Sequence, residues 1–213
     1  MRQLLMRLAL AVLGLILGVS AATAQICEGA SSFQGAPFQI GTGASLQTDT
    51  RGVSGLIGAG NDLLFGIGTV SLGTTDNADA TWRSLKFALG SDRPFGRLYI
   101  CPLLGLERTW GPRVGLNEFS RWGYGVGGSA GFVLGDLKTF AVIPTISYVA
   151  GRGRLRVERG PIATTVGTDS GRVVGGVGFV VRDRLGIASL LAVPVGTEGD
   201  QPNAVQLGLT YNF

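Results

Sequence analysis

The sequence predicts an all-β fold in which a single antiparallel sheet of about ten strands closes into a barrel. Three observations predict it. Beyond the N-terminus, apolar residues alternate with small or polar ones at period 2, and no stretch sustains a 3.6-residue period. Glycine supplies 36 of the 213 residues, without the strict three-residue period of collagen. Charged residues make up only 15% of the chain, against roughly 25% in soluble proteins. A mean hydropathy of +0.33 and a net charge of +4 exclude a disordered chain.

The N-terminus reads as a leader. Arg2 and Arg7 precede an apolar run from Leu8 to Val19, and Ala22, Thr23 and Ala24 supply a small-x-small cleavage pattern. The run of about 12 residues is short of the roughly 20 that a membrane-spanning helix needs. Residues 1–24 are therefore expected to be a cleaved signal peptide, 25–34 an N-terminal periplasmic segment and 35–213 the barrel. Cleavage removes two of the 18 basic residues and none of the 14 acidic ones, lowering the net charge from +4 to +2. No basic stripe remains that would point to nucleic acid. Export to an oxidising compartment favours a disulfide between the two cysteines, Cys27 and Cys101, over two unpaired thiols. That bond closes a loop of about 75 residues, worth on the order of 4 kcal/mol in the chain-entropy model. Ile26 directly before Cys27, and Ala24 three before it, do not fit lipoprotein processing.

The strands follow from the alternation and the turn signals between them. They are expected near 36–48, 51–60, 63–74, 80–90, 96–108, 120–135, 138–158, 162–182, 186–196 and 203–213. Short charged connections at 60–62, 91–94, 135–138 and 182–184 alternate with longer ones at 75–79, 109–119 and 197–203 and with the hairpin tip at 159–161. The connection at 49–51 is short where a loop is expected, so a barrel of eight strands with 51–74 rearranged is the alternative.

The composition of the two faces decides what such a sheet is for. Val205, Leu207, Leu209, Tyr211 and Phe213 share one face of the last strand, as do Phe140, Val142, Pro144, Ile146 and Tyr148 earlier and Trp122, Tyr124, Val126, Ala130, Phe132 and Leu134 before them. The opposite faces are mostly Gly, Ser, Thr and Ala, where a solvated sheet would need charge. The pattern is inverted: apolar residues face lipid and small ones line a narrow tube, in a transmembrane sheet that must close because hydrocarbon tolerates no unpaired edge. Trp82, Trp110, Trp122, Tyr124, Tyr148 and Tyr211 lie toward strand ends, as an aromatic girdle requires.

On these features the chain resembles the small bacterial outer-membrane β-barrel proteins of the OmpA, OmpX and OmpW type, over nearly all of the mature sequence. The resemblance implies residence in the cell outer membrane, contact with its lipid and lipopolysaccharide, and biogenesis through periplasmic chaperones and the barrel assembly machinery. It also implies that Leu207, Leu209, Tyr211 and the terminal Phe213 form the C-terminal assembly signal. It implies nothing about activity.

Motifs that would carry chemistry lack their partners. Gly127-Gly128-Ser129-Ala130-Gly131 matches a nucleophile elbow, yet the chain has no His and no helix follows. Gly123, Gly125 and Gly128 match a dinucleotide fingerprint only formally, since they alternate along a strand. An enzyme is not expected, nor a cofactor or a metal. Three features remain as candidate sites. Lys86, Glu107 and Arg172 are the charges that alternation turns toward the lumen, to form a network or to line water. Arg152, Arg154 and Arg156 share one face of a hairpin that, at about 3.3 Å per residue, spans roughly 65 Å and projects beyond the membrane. Guanidinium groups in that row suit the phosphates of lipopolysaccharide or an acidic partner. Cys101 falls on the inner face, which would bring segment 25–34 against the inner wall. The function expected is a structural or surface-interaction barrel with a narrow Gly-lined lumen and a protruding basic hairpin; the alternative is a narrow channel for small or apolar solutes.

Overall fold

The computed structural model describes residues 25–27, 30–32, 38–61, 64–75, 80–114, 117–196 and 203–213; the leader expected at 1–24 lies outside them. The strands are β1 (Gln25–Cys27), β2 (Ala30–Ser32), β3 (Phe38–Gln47), β4 (Thr50–Gly60), β5 (Phe65–Thr75), β6 (Ala80–Gly90), β7 (Arg93–Phe95), β8 (Leu98–Val114), β9 (Asn117–Phe132), β10 (Leu134–Asp136), β11 (Phe140–Arg159), β12 (Ile162–Val181), β13 (Leu185–Pro194) and β14 (Ala204–Asn212). Among the described residues there is no helix. Ten strands close a ring in the order β3, β4, β5, β6, β8, β9, β11, β12, β13, β14, every neighbouring pair antiparallel and β14 pairing back to β3. The short β7 and β10 prolong the lines of β6 and β9 against β8 and β11. The ten expected strands are present and the eight-stranded alternative is not.

At one end of the ring the connections are short turns. Arg182 and Asp183 both take positive φ in the β12–β13 turn, the local twist that a tight hairpin needs. The chain closes at this turn end, where the Phe213 N–H donates to the Phe38 carbonyl at 3.1 Å. The other, loop end is uneven. Strands β3 to β6 have 10 or 11 residues, but β8 and β9 have 17 and 16, and β11 and β12 have 20 each. These four are consecutive in the ring, so they form a raised wall on one side. The expected loop at 109–119 belongs to this wall: β8 runs on to Val114 and β9 starts at Asn117. Gly111, at φ +84°, sits in a bulge between Trp110 and Arg113 that absorbs the irregularity and lets pairing continue.

The faces are inverted as expected. Leu207, Phe140 and Phe213 are 51, 51 and 62% exposed, while their neighbours Ala204, Ala141, Thr210 and Asn212 are buried inside. The sequence reading of small residues on the β9 inner face also holds, with a steric reason. A Cβ at Gly127 would collide with the Tyr148 carbonyl oxygen and stand 2.8 Å from Val149 Cα, so glycine is what lets β9 approach β11 so closely. The elbow-like Ser129 is simply a buried inner-face residue of this strand.

Val70, in the middle of β5, is 53% exposed on the outer face. Replacing it by Arg is expected to destabilise the barrel by roughly 2–4 kcal/mol in reversible unfolding from phospholipid vesicles, the range for a cation at mid-bilayer. A loss well under 1 kcal/mol would mean that this face does not meet hydrocarbon.

Candidate functional site

The outer surface identifies the solvent. Exposed apolar side chains ring the barrel, from Val53 and Ile57 through Val70, Leu85 and Leu104 to Ile146, Ile187 and Leu207. Aromatic residues bound this band at both ends. At the turn end Phe38 and Tyr211 pack on Phe213 with centroids 5.9 and 5.1 Å apart, and Phe140 stacks on Phe179 at 6.4 Å. Toward the loop end Trp122 lies 6.2 Å from Tyr124, and the guanidinium groups of Arg83 and Arg108 lie 5.5 and 5.1 Å from the ring of Trp110. A closed, even-numbered barrel wearing an apolar belt between two aromatic girdles is built for a bilayer. The chain is a membrane-spanning β-barrel. In bacterial barrels short turns lie on the periplasmic side and long loops outside, so by that rule the turn end is the periplasmic end and the loop end the extracellular one.

No family model and no curated protein matches this barrel. Similar solved structures include the N-terminal β-barrel domain of Pseudomonas aeruginosa OprF, 11% identical over 84% of this chain and 100% of that one, with a TM-score of 0.41. Neisserial surface protein A is 12% identical over 84% and 98%, at 0.43. Ail, the attachment invasion locus protein of Yersinia pestis, is 14% identical over 83% and 96%, at 0.39.

Inside, the two halves of the lumen differ. The periplasmic half is filled by buried side chains in clusters: Tyr99, Ala141, Ile143 and Val180 in one, and Phe65, Ile67, Cys101 and Leu103 in a second. A third, Val174, Leu190 and Ala192 with Ala188 and Ala204, runs up the wall of β12 to β14, where Ala192 and Ala204 reach the loop-end half. The interior is thus not uniformly small. β1 and β2 pair with each other, and β1 lies against β8 and β9 while β2 lies against β12, β13 and β14. A segment can touch both sets only from inside, so the N-terminal strand pair crosses the lumen. Cys101 is fully buried on β8, facing that segment, and among the described residues no cysteine is free.

The extracellular half encloses a cavity of about 170 Å³. Lys86, Glu107 and Arg172 all line it, so the three lumen charges expected from alternation converge. Lys86 and Glu107 are cross-strand partners on β6 and β8, and Glu107 Oε1 accepts a hydrogen bond from Thr109 Oγ1 at 3.3 Å. A fourth charge joins them. Arg121 also lines the cavity, its Nη2 donating to Ser170 Oγ at 3.3 Å. The signal for it was present in the sequence: Trp122 faces lipid, so its neighbour must face in.

One expectation needs correction. Trp82 is not in a girdle. It shares the inner face of β6 with Lys86, four residues on, and its indole fills the space left by Gly73 and Gly52, where a Cβ would collide with or crowd the ring. The basic hairpin carries ion pairs as well as charge. Arg152, Arg154 and Arg156 do share the outer face of β11 and are exposed. Yet Arg152 Nε pairs with Asp169 Oδ1 at 2.9 Å, and Arg156 Nε with Glu158 Oε1 at 2.6 Å. With side chains 42 to 72% exposed, each pair is worth only about 0.2–1 kcal/mol.

Variants retaining one tryptophan at a time test the facing of these rings. In vesicles of brominated lipid, Trp122 fluorescence is expected to be strongly quenched and Trp82 fluorescence to be nearly unaffected. Equal quenching of the two would place Trp82 on the lipid side.

Proposed function

We propose that this outer-membrane barrel is a closed, non-enzymatic protein that acts through its extracellular surface rather than by passing solutes. The packed periplasmic half of the lumen, with the β1–β2 pair across it, carries this reading. A conducting path would have to displace Ile143, Leu103 and Phe65 from contacts worth about 1.5–3 kcal/mol of burial each. The purified barrel in planar bilayers is therefore expected to show no discrete openings under moderate voltage. Well-resolved single-channel steps would overturn the reading in favour of a narrow channel.

Surface contact falls to the raised wall of β8, β9, β11 and β12. Its chemistry suits the phosphates of lipopolysaccharide: Arg154 is the cross-strand partner of Trp122, and Arg83 and Arg108 flank Trp110 on the same outer face. Arg152 and Arg156 contribute less, since each already has a carboxylate. Arg154→Glu is expected to weaken retention of lipopolysaccharide by the refolded barrel several-fold, and Arg156→Glu to do so less. Equal losses would return the weight to the whole hairpin. Leu207, Leu209, Tyr211 and Phe213, outward-facing on the closing strand, are the residues offered to the barrel assembly machinery.

The N-terminal strand pair is proposed to be fastened by a Cys27–Cys101 disulfide. β1 ends at Cys27 and lies against the strand that carries Cys101. Mass mapping without reductant is expected to recover one peptide pair bridging the two; both thiols free would remove the tether. Reduction is expected to lower stability by up to about 4 kcal/mol, the chain-entropy value for such a loop.

A further inference from the structure

The extracellular half of the lumen holds more positive than negative charge, and its walls explain how such a cluster is tolerated. Lys86, Arg121 and Arg172 face one carboxylate, Glu107, around a single cavity of about 170 Å³. Glycines at 123, 125 and 151 line the same space and leave room for the long side chains. Arg121 is anchored to Ser170 through Nη2, while its Nε is buried and has no hydrogen-bond acceptor. Below the cavity the apolar clusters form a low-dielectric floor, which concentrates the field of the cations toward the extracellular opening.

We infer that this vestibule is a binding site for a small multivalent oxyanion of the phosphate type, entering from the extracellular side and stopping at the apolar floor. Guanidinium groups present forked donors that match tetrahedral oxyanions, and Lys adds a compact charge. The size fits this ligand class, since pockets for larger organic molecules begin near 300 Å³. Glu107 sets an upper limit on the attraction: it neutralises part of the charge and disfavours a ligand that approaches it. The outward arginines Arg83, Arg108 and Arg154 lie on the opposite face of the wall and have no part in this site. The inference is also separate from closure of the barrel, because equilibrium binding in the vestibule does not depend on whether the periplasmic half conducts.

Calorimetric titration of the refolded mature barrel with inorganic pyrophosphate tests it, in zwitterionic detergent free of lipopolysaccharide. One saturable site per barrel is expected, weakened by added salt. Arg121→Gln and Arg172→Gln are each expected to weaken it about tenfold or more, the loss of a charge-assisted hydrogen bond. Glu107→Gln is expected to tighten it, and Arg184→Gln, an exposed arginine in the turn at the other end of the barrel, to leave it within twofold. Absence of saturable binding at millimolar pyrophosphate would overturn the proposal. So would a loss on Arg184→Gln equal to that on Arg121→Gln, which would move the anion out of the vestibule. Full displacement by equimolar chloride would reduce the effect to screening and overturn it as well. Heat-modifiable migration on gels reports folding of each variant; should Arg121→Gln misfold, the Arg172→Gln and Glu107→Gln pair still decides by opposite signs.

Discussion

A backbone amide in hydrocarbon has no water to turn to, so every N–H and C=O that crosses the bilayer must be paired within the protein. That requirement is met here by the seam between β14 and β3, where Asn212 pairs with Gln39 and Val205 with Leu46. Without the seam, two strands would present open edges to lipid. Closure in turn dictates the inversion. Once the ring is shut, the outer face can only meet acyl chains, and the inner face has only as much room as ten strands enclose. The exposed Leu207 and the buried Thr210 of one strand are the two consequences of a single constraint.

The enclosed volume is then shared between bulk and absence of bulk. In the periplasmic half Ile143, Phe65 and Leu103 fill it as a core would. Higher up, glycines withdraw and charged side chains take the space. Close strand contacts depend on the same economy of volume: β9 meets β11 at Gly127, and the Trp82 indole occupies the ground vacated by Gly52 and Gly73. Stability and any binding capacity therefore lie on different levels of one tube.

Much of this was legible because the period of a strand is an integer. A residue two positions from a lipid-facing Leu must also face lipid, and one position away must face in. Lys86, Glu107 and Arg172 were placed in the lumen by that rule alone, and the same rule applied to Trp122 would have added Arg121. It was overridden at Trp82, where the expectation of an interfacial tryptophan outweighed the parity with Lys86. At 109–119 a loop is expected and a bulge at Gly111 is found, because the break in alternation that marks a bulge also marks a loop. The two differ only in whether the strands beyond resume their pairing.

The sequence by itself determined the closed antiparallel sheet, the order of its main strands and the sides that face lipid, since these follow from local alternation and turn chemistry along one chain; the choice of ten strands over eight needed the pairing of β4 with β5. Only the tertiary structure decided what shares the interior. Whether Arg121 meets Ser170 and whether β1 crosses the lumen depend on the register between strands far apart in sequence, and whether Arg152 finds Asp169 depends on the register of one long hairpin. Register is set by the shear of the closed ring, a property of the whole sheet that no single strand contains.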